Sequence, residues 1–169
     1  MKVGWVRWVA LVLEEWVMIR LMITAAVFLL PVVAVAQARA SQIKRTNPPE
    51  ISKPTGYTHV VEVSGGKTVY VSGQIAFDKD GKLVGEGDMK AQAAQVFKNL
   101  QAALAAAGAT FKDVVKMNTY TTDMAQVQAI RDVRARYFGD TAPASTLVQV
   151  VALARPGLML EIEVIAVVP

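Results

Sequence analysis

The sequence has no cysteine and only one histidine, His59, among its 169 residues. Without cysteine the chain can form no disulfide and has no thiol nucleophile, and a zinc site built from Cys and His is excluded. No acid–serine pattern lies near His59 in the sequence, so a Ser-His-Asp hydrolase is not expected. We expect His59 at the rim of a site, not at its centre.

Basic residues are scattered, and the one basic cluster is the pair Lys44–Arg45. That pair is too short for a nucleic-acid-binding patch, so no nucleic-acid partner is expected, although the net charge is +4. Charged residues make up 19% and hydrophobic residues 53% of the chain, which suits one folded domain with a real core.

The longest stretch without charge runs from Leu21 to Ala38, "LMITAAVFLLPVVAVAQA". Arg20 precedes it and "AVAQARA" follows with overlapping A-x-A sites, which predicts a secretory signal peptide within residues 1–40 that starts at Met18. Eighteen uncharged residues are also long enough for an uncleaved membrane anchor. In either case we expect a periplasmic or secreted domain, attached to a membrane only through this segment if it is retained.

Residues 41–58 are polar and contain three prolines, which predicts an extended lead-in to a domain at 59–169. Two β-rich runs flank Ser64-Gly65-Gly66-Lys67, which predicts a hairpin. Because the "SGG" turn lies between strands and opens no helix, it is not a phosphate-binding loop.

Two helices follow from apolar periodicity and capping residues. Asp88 predicts the N-cap of the first helix and Gly108 its end. Asp123 and Gln126 resemble a capping box for the second. With a strand at "VVKMNTYTTD" and two more at 145–151 and 158–168, the order is β-β-α-β-α-β-β.

The last strand indicates how the sheet is covered. One of its faces carries Leu160, Ile162, Val164 and Ala166, and the other carries Met159, Glu161, Glu163, Ile165 and Val167. Two helices cover only one face of such a sheet, which predicts an α+β fold. A second face that is this apolar and lies bare predicts a homo-oligomer whose sheets face one another.

The segments "TGYTHVVEV", "TVYVSGQIAFDKDGKLV", "QAAQVFKNLQAALAAAGATFKDVVKMNTYTTDM", "RYF", "PAS" and "LEIEVIAV" resemble the Rid (reactive intermediate deaminase, YjgF-like) family over about 54–168. The resemblance implies a chorismate-mutase-like α+β fold and a homotrimer with a small-molecule cleft between subunits. It also implies hydrolysis of 2-imines and enamines, such as 2-aminoacrylate, to a 2-ketoacid and ammonia, with no metal or organic cofactor.

The resemblance carries four site residues to this chain. Glu161 matches the catalytic carboxylate that orients the attacking water, and Tyr57, Ser72 and Gly73 match residues that bind the substrate. For Glu161 the other interpretation is an acid pair with Glu163 on an oligomer-facing strand. The alternative for Tyr57 is a ring that packs at a strand end. The alternative for Ser72 is a strand hydroxyl that bonds to the backbone.

Three positions depart from the family pattern. Ser145 stands where active members have the Arg that grips the substrate carboxylate, Leu147 replaces a common Cys, and Arg131 replaces an Asn. A Ser hydroxyl cannot supply the charge of a bidentate Arg–carboxylate contact.

These departures leave alternatives open. Arg131 either supplies the missing charge from the second helix or is a solvated helix residue. Arg155, in the loop before the last strand, is the other candidate for the missing cation. Ser145 and Thr146 either form a neutral polar pocket or are plain strand-start hydroxyls. The sequence therefore favours an imine or enamine deaminase with altered substrate preference, and the alternative is a non-catalytic trimer that binds a small metabolite outside the cytoplasm.

Overall fold

The computed structural model describes residues 41–169. The signal-peptide and membrane-anchor predictions concern residues 1–40 and lie outside the described residues. Within 41–169, no helix combines the length and the apolar character that a bilayer crossing requires.

The described residues form two sheets and two α-helices. The elements in chain order are β1 Gln42–Thr46, β2 Val60–Ser64, β3 Lys67–Ile75, α1 Met89–Ala106, β4 Val114–Thr121, α2 Val127–Phe138, β5 Ala144–Gln149 and β6 Leu160–Val168. The larger sheet has the order β3-β6-β4-β5, in which only β4 and β5 run parallel. The predicted α+β class, with two helices on one face of a sheet, is confirmed.

The core lies between this sheet and the helices. Leu160, Ile162 and Val164 of β6 are buried on the same side as Met117 of β4. They pack in one cluster with residues of α1 and α2, among them Phe97, whose ring stacks on Tyr137 at 5.0 Å between centroids. The other face has no helix against it, and Tyr70 on β3 is 78% exposed there. We call this bare side the open face.

The predicted helix signals are confirmed with one adjustment. The carboxylate of Asp88 accepts hydrogen bonds from the backbone N–H groups of Lys90 and Ala91 at 2.9 and 3.0 Å, and Gly108 follows α1 with φ +74°. Asp123 caps a single 3-10 turn, Met124–Gln126, which leads directly into α2.

The expected β2–β3 hairpin is wrong, because β2 pairs with β1 and β3 pairs with β6. Residues 41–58 are thus an extended lead-in that contains a strand. At the turn, Gly66 has φ +80° and lies so close to β6 that a Cβ there would be 2.5 Å from the carbonyl oxygen of Val168. The Arg45 guanidinium ties β1 to the core by donating to the carbonyl oxygens of Lys112 and Val114 at 3.2 and 3.5 Å.

The start of β6 is held by Gln92, a fully buried side chain of α1. Its Nε2 donates to the carbonyl oxygens of Gly157 and Gly85 at 2.7 and 3.1 Å, and its Oε1 accepts from the N–H of Met159 at 2.9 Å. The carbonyl oxygen of Met159 accepts from Thr121 Oγ1 at 3.1 Å. The Gln92 side chain therefore satisfies part-buried backbone groups just before this strand.

Replacing Gln92 by Leu is predicted to lower the free energy of unfolding by about 1–3 kcal/mol, since the N–H of Met159 and the carbonyl oxygen of Gly157 lose their side-chain partner, while the carbonyl oxygen of Gly85 still accepts from the N–H of Asp88 at 3.0 Å. The measurement is denaturant unfolding at one fixed protein concentration. Gln101→Leu, an exposed position on the same helix, is the matched control and is expected to change little. Equal stabilities for the two variants would contradict the role assigned to Gln92.

Candidate active site

Glu161 lies on the open face, near the start of β6. Its Cα neighbours are Ile75 on β3 and Tyr120 on β4. The β3 ladder is irregular between Val71 and Gln74, and a Cβ at Gly73 in this interval would lie 2.8 Å from Cδ of Glu161 and closer still to its Oε1. The φ of Gly73 is not positive, so glycine is required here for space, not for backbone conformation. The structure therefore brings two of the predicted residues, Gly73 and Glu161, into direct contact.

A cavity of about 290 Å³ opens on the same face around Glu163, two residues along β6 from Glu161, which does not itself line it. The predicted Ser72 lines it, and its polar walls also include Tyr70, Lys116, Asn118 and Glu163. Sequence reasoning missed Lys116 and Asn118. The period-2 alternation of "KMNTY" was the available signal, because it places Lys116, Asn118 and Tyr120 on one face of β4.

The Glu163 carboxylate is held in place by two side chains of β4. Its Oε1 accepts hydrogen bonds from Asn118 Nδ2 at 2.8 Å and from the Tyr120 hydroxyl at 3.2 Å. Desolvation, the hydrogen bond to Glu163 and the negative charges of Glu163 and Glu161 all raise the pKa of Tyr120 above its usual value. The phenol therefore stays protonated and keeps donating to Glu163 at neutral pH.

Ser145 and Thr146 lie on opposite faces of β5, so within one chain they do not line one pocket. Ser145 is the register partner of Met117, which faces the helices, whereas Thr146 is the partner of Asn118 on the open face. Consecutive residues of a strand point to opposite faces. Thr146 Oγ1 accepts a hydrogen bond from Lys116 Nζ at 2.8 Å, so it belongs to the open-face group.

Tyr57 lies near the start of β5. The neighbouring Thr58 is buried and donates from its N–H and Oγ1 to the carbonyl oxygens of Pro143 and Ala142 at 3.0 and 2.6 Å. The Tyr57 ring meets the His59 ring edge-on, at 5.1 Å between centroids. His59 Nε2 donates to the carbonyl oxygen of Ser52 at 2.7 Å, so this histidine has a structural hydrogen bond.

The predicted cation Arg131 is exposed on α2, one turn before Arg134. The Arg134 guanidinium donates to the carbonyl oxygen of Gly56, which anchors the segment that carries Tyr57. Burial lowers the pKa of Arg134, and the nearby charge of Arg131 lowers it further. Within residues 41–169 the only ion pairs are Lys44–Glu62 and Lys79–Asp80, so Arg131 does not take part in one.

The other candidate cation, Arg155, lies at the opposite side of the sheet. Its guanidinium carbon is 5.4 Å from the centroid of the Phe77 ring, just beyond the end of β3. Stacking over an aromatic ring is a common structural use of Arg. Of the two cations, Arg155 therefore lies nearer to the β3–β6 pair that carries Glu161.

The candidate residues thus form two groups in one chain. We call the first the acid group, and it contains Ser72, Gly73, Thr146 and Glu161 on the open face. We call the second the Tyr57 group, and it contains Tyr57, Arg131 and Ser145 around α2 and the helix-facing side of β5. In residues 41–169, no cluster of three His, Asp or Glu side chains is arranged to hold a metal ion. Chemically, the acid group offers a carboxylate base and the Tyr57 group offers an aromatic ring, a hydroxyl and a cation.

Comparison with known proteins agrees with this geometry. A family model described as endoribonuclease L-PSP matches residues 49–168. The protein DfrA of Myxococcus xanthus is 41% identical over 111 residues, which cover 66% of this chain and 84% of that protein. The 2-iminobutanoate/2-iminopropanoate deaminase of Mus musculus is 37% identical over 111 residues, 66% of this chain and 80% of the relative.

Among solved structures, the Rid-family protein YyfB of Yersinia pestis superposes with a TM-score of 0.70 at 38% identity, over 75% of this chain and 98% of that one. RidA of Psychrobacter is 38% identical with a TM-score of 0.57, over 69% of this chain and 92% of its own. With its sheet, its helices and the matched residues 49–168, this chain belongs to the Rid (YjgF-like) family, which the L-PSP family model describes.

Proposed function

We propose that this protein is a homotrimeric deaminase that hydrolyses reactive 2-imines and enamines to ketoacids and ammonia. The observation that carries the proposal is the Glu161 carboxylate, seated against Gly73 on the open face. A relative at 37% identity is named as a deaminase of 2-iminobutanoate and 2-iminopropanoate, which supports the same chemistry.

The reaction needs one well-placed base. Glu161 takes a proton from water as the water oxygen adds to the carbon of the protonated C=N bond, which gives a neutral carbinolamine; an enamine first takes a proton at its terminal carbon to become this protonated imine. The Glu161 carboxyl returns the proton to the nitrogen, the C–N bond breaks, and the hydroxyl proton passes through the Glu161 carboxylate to the ammonia, which leaves as ammonium and a carbonyl remains. Water is the only co-reactant, so the atoms balance without an oxidant or reductant.

The two groups of site residues support an oligomeric site. The acid group and the Ser145 side chain lie on opposite faces of one sheet, so a single copy cannot offer both to one small molecule. A neighbouring copy that brings its Tyr57 group to the acid group of the first would complete a cleft. This arrangement is the intersubunit cleft that the family resemblance implies.

Ser145 sets the expected substrate preference. A half-buried hydroxyl replaces the Arg that holds a substrate carboxylate in active relatives, so an acidic substrate must find its charge elsewhere. We assign that role to Arg131, which is exposed in the Tyr57 group. If no group replaces the Arg, the cleft binds a small metabolite without turnover, and this second function is favoured by Ser145 alone.

Glu161→Gln is expected to lower kcat for freshly generated 2-aminoacrylate by about 10²–10⁴-fold, because the amide cannot accept the proton of the attacking water. Release of ammonia and ketoacid is the measurement. Glu62→Gln, an exposed carboxylate on β2, is the matched control and is expected to retain wild-type rates. Turnover that survives in Glu161→Gln would contradict the assignment. Cleavage of RNA by the wild-type protein but not by Glu161→Gln would instead support an endoribonuclease, the activity named in the description of the family model.

Gly73→Ala is expected to lower kcat by about 10²-fold, because the new methyl group displaces the Glu161 carboxylate by more than an ångström. The oligomer is expected to persist, as size-exclusion chromatography with light scattering would show. Gly81→Ala is the control: its φ of +75° makes alanine strained in that turn and costs some stability, but no atom lies within 4 Å of a Cβ there, so kcat of the folded protein is expected to be unchanged. Unchanged kcat in Gly73→Ala would mean that the contact with Glu161 has no role in catalysis.

Arg131→Ala is expected to raise KM for an imine that carries a carboxylate by about tenfold, while an uncharged imine is unaffected. Arg136→Ala, equally exposed on α2, is the matched control. Unchanged KM for both classes of imine would show that the charge has not moved to Arg131, and Arg155→Ala then tests the other cation.

A further inference from the structure

The cavity on the open face holds one charged group of each sign. Lys116 and Glu163 both line its volume of about 290 Å³, yet they are not among the ion pairs of residues 41–169. Glu161, the proposed base, does not line this cavity. A lysine ammonium and a glutamate carboxylate therefore face the same small space without neutralising each other and without a role in the proposed reaction.

Neutral partners hold these two charges apart. Lys116 Nζ donates to Thr146 Oγ1 at 2.8 Å, which draws the ammonium towards β5. Glu163 Oε1 accepts from Asn118 Nδ2 at 2.8 Å and from the Tyr120 hydroxyl, which lies further along β4 from Lys116, at 3.2 Å. Within residues 41–169 both hydrogen bonds of this carboxylate use Oε1, so Oε2 is available to a ligand. The ammonium has three donors and gives only one of them to Thr146.

The strand register sets the spacing between the two charged residues. Asn118 is the register partner of Glu163, and Lys116 is the partner of Ile165. Lys116 and Glu163 are thus diagonal neighbours on one face of the sheet, a relation that separates residues by about 7–8 Å. An α-amino acid carries its ammonium and its carboxylate on the same carbon, and charge-assisted hydrogen bonds add about 2.7–2.9 Å at each end. One amino acid can therefore reach both charges.

The remaining walls of the cavity suit an apolar side chain. Ile165 is the register partner of both Tyr70 on β3 and Lys116 on β4, so its half-buried side chain forms the floor between these strands. Tyr70 is 78% exposed and adds an aromatic wall, and Ser72 adds a hydroxyl. Apolar walls with a few polar groups that fix orientation are typical of small-molecule sites.

We propose that this cavity binds a free α-amino acid with a small apolar side chain, at a site separate from Glu161. Lys116 binds the carboxylate of the ligand, Oε2 of Glu163 binds its ammonium, and Ile165 and Tyr70 contact its side chain. A cation alone would face the like charge of Lys116, and an anion alone would face that of Glu163, so a zwitterion fits both. The inference goes beyond the proposed deaminase and uses residues of one chain only.

The first test compares three probes that share one side chain. L-valine carries both charges, isobutylamine carries only the positive one, and isovalerate carries only the negative one. Titrations of the purified protein, followed by NMR, measure the Kd of each probe. L-valine is expected to bind at least about tenfold more tightly than either of the others, because it alone makes both charge-assisted contacts. Equal affinities for the three probes, or no binding of L-valine, would overturn the proposal.

Variants of the two charged residues then assign the two ends of the ligand. Lys116→Met keeps an unbranched apolar stem and is expected to weaken L-valine about tenfold without weakening isobutylamine. Glu163→Gln can still accept from Asn118 and Tyr120, and is expected to weaken L-valine about tenfold without weakening isovalerate. A distorted cavity would weaken all three probes, so this crossed pattern identifies lost contacts.

The matched control is Lys98→Met, which removes an exposed charge from α1 and is expected to bind L-valine like wild type. Affinity for L-valine that is unchanged in both Lys116→Met and Glu163→Gln would contradict the assigned contacts.

The outcomes separate this inference from the proposed function. Glu161→Gln is expected to lose turnover and to bind L-valine like wild type, because Glu161 does not line the cavity. Loss of L-valine binding in Glu161→Gln would place the amino acid in the proposed catalytic site and overturn a separate site. A protein that binds L-valine but hydrolyses no imine would contradict only the deaminase, and one that hydrolyses imines but binds no L-valine would contradict only this inference.

Discussion

The helices cover only one face of the four-stranded sheet, and the arrangement of the candidate site depends on this constraint. Because side chains alternate along each strand, every residue of β4, β5 and β6 faces either the helices or the open side. Glu161 faces the open side, and Ser145, two strands away, faces the helices. Chemistry that uses both residues must involve another copy of the chain, so the proposed catalysis depends on assembly of the oligomer.

The fold holds the Glu161 carboxylate, the proposed base, through the backbone that precedes it. Gln92 and Thr121 fix the N–H and the carbonyl oxygen of Met159, two residues before Glu161. Gly73 then leaves space for the carboxylate against β3. In the proposed reaction the placement of the base matters most, because a protonated imine is already electrophilic and water needs mainly to be oriented.

Local sequence patterns predicted the ends of the helices. They could not predict which strands pair, because pairing depends on residues far apart in the chain. Asp88, Gly108 and Asp123 mark helix ends through contacts with their own neighbours, so the sequence reveals them directly. The partner of β2 is β1, a strand in a segment whose prolines had suggested only a lead-in, and no local signal distinguishes that pairing from a hairpin. The family resemblance identified Glu161 and Gly73 as site residues, but strand register was needed to separate Ser145 from Thr146 and to bring Lys116 and Asn118 into the same cavity.

The most direct test of a site divided between copies is complementation between two impaired chains. Glu161→Gln chains and Arg131→Ala chains, with different affinity tags, are co-expressed, and trimers carrying both tags are purified and assayed with a 2-imino acid at a concentration well below KM. If each cleft joins the acid group of one copy to the Tyr57 group of another, each mixed trimer holds both intact halves in about one cleft in three, and activity rises well above that of either variant alone. Mixed trimers whose activity is no higher than the average of the two variants would contradict the account, because they would place both halves of the site in the same chain.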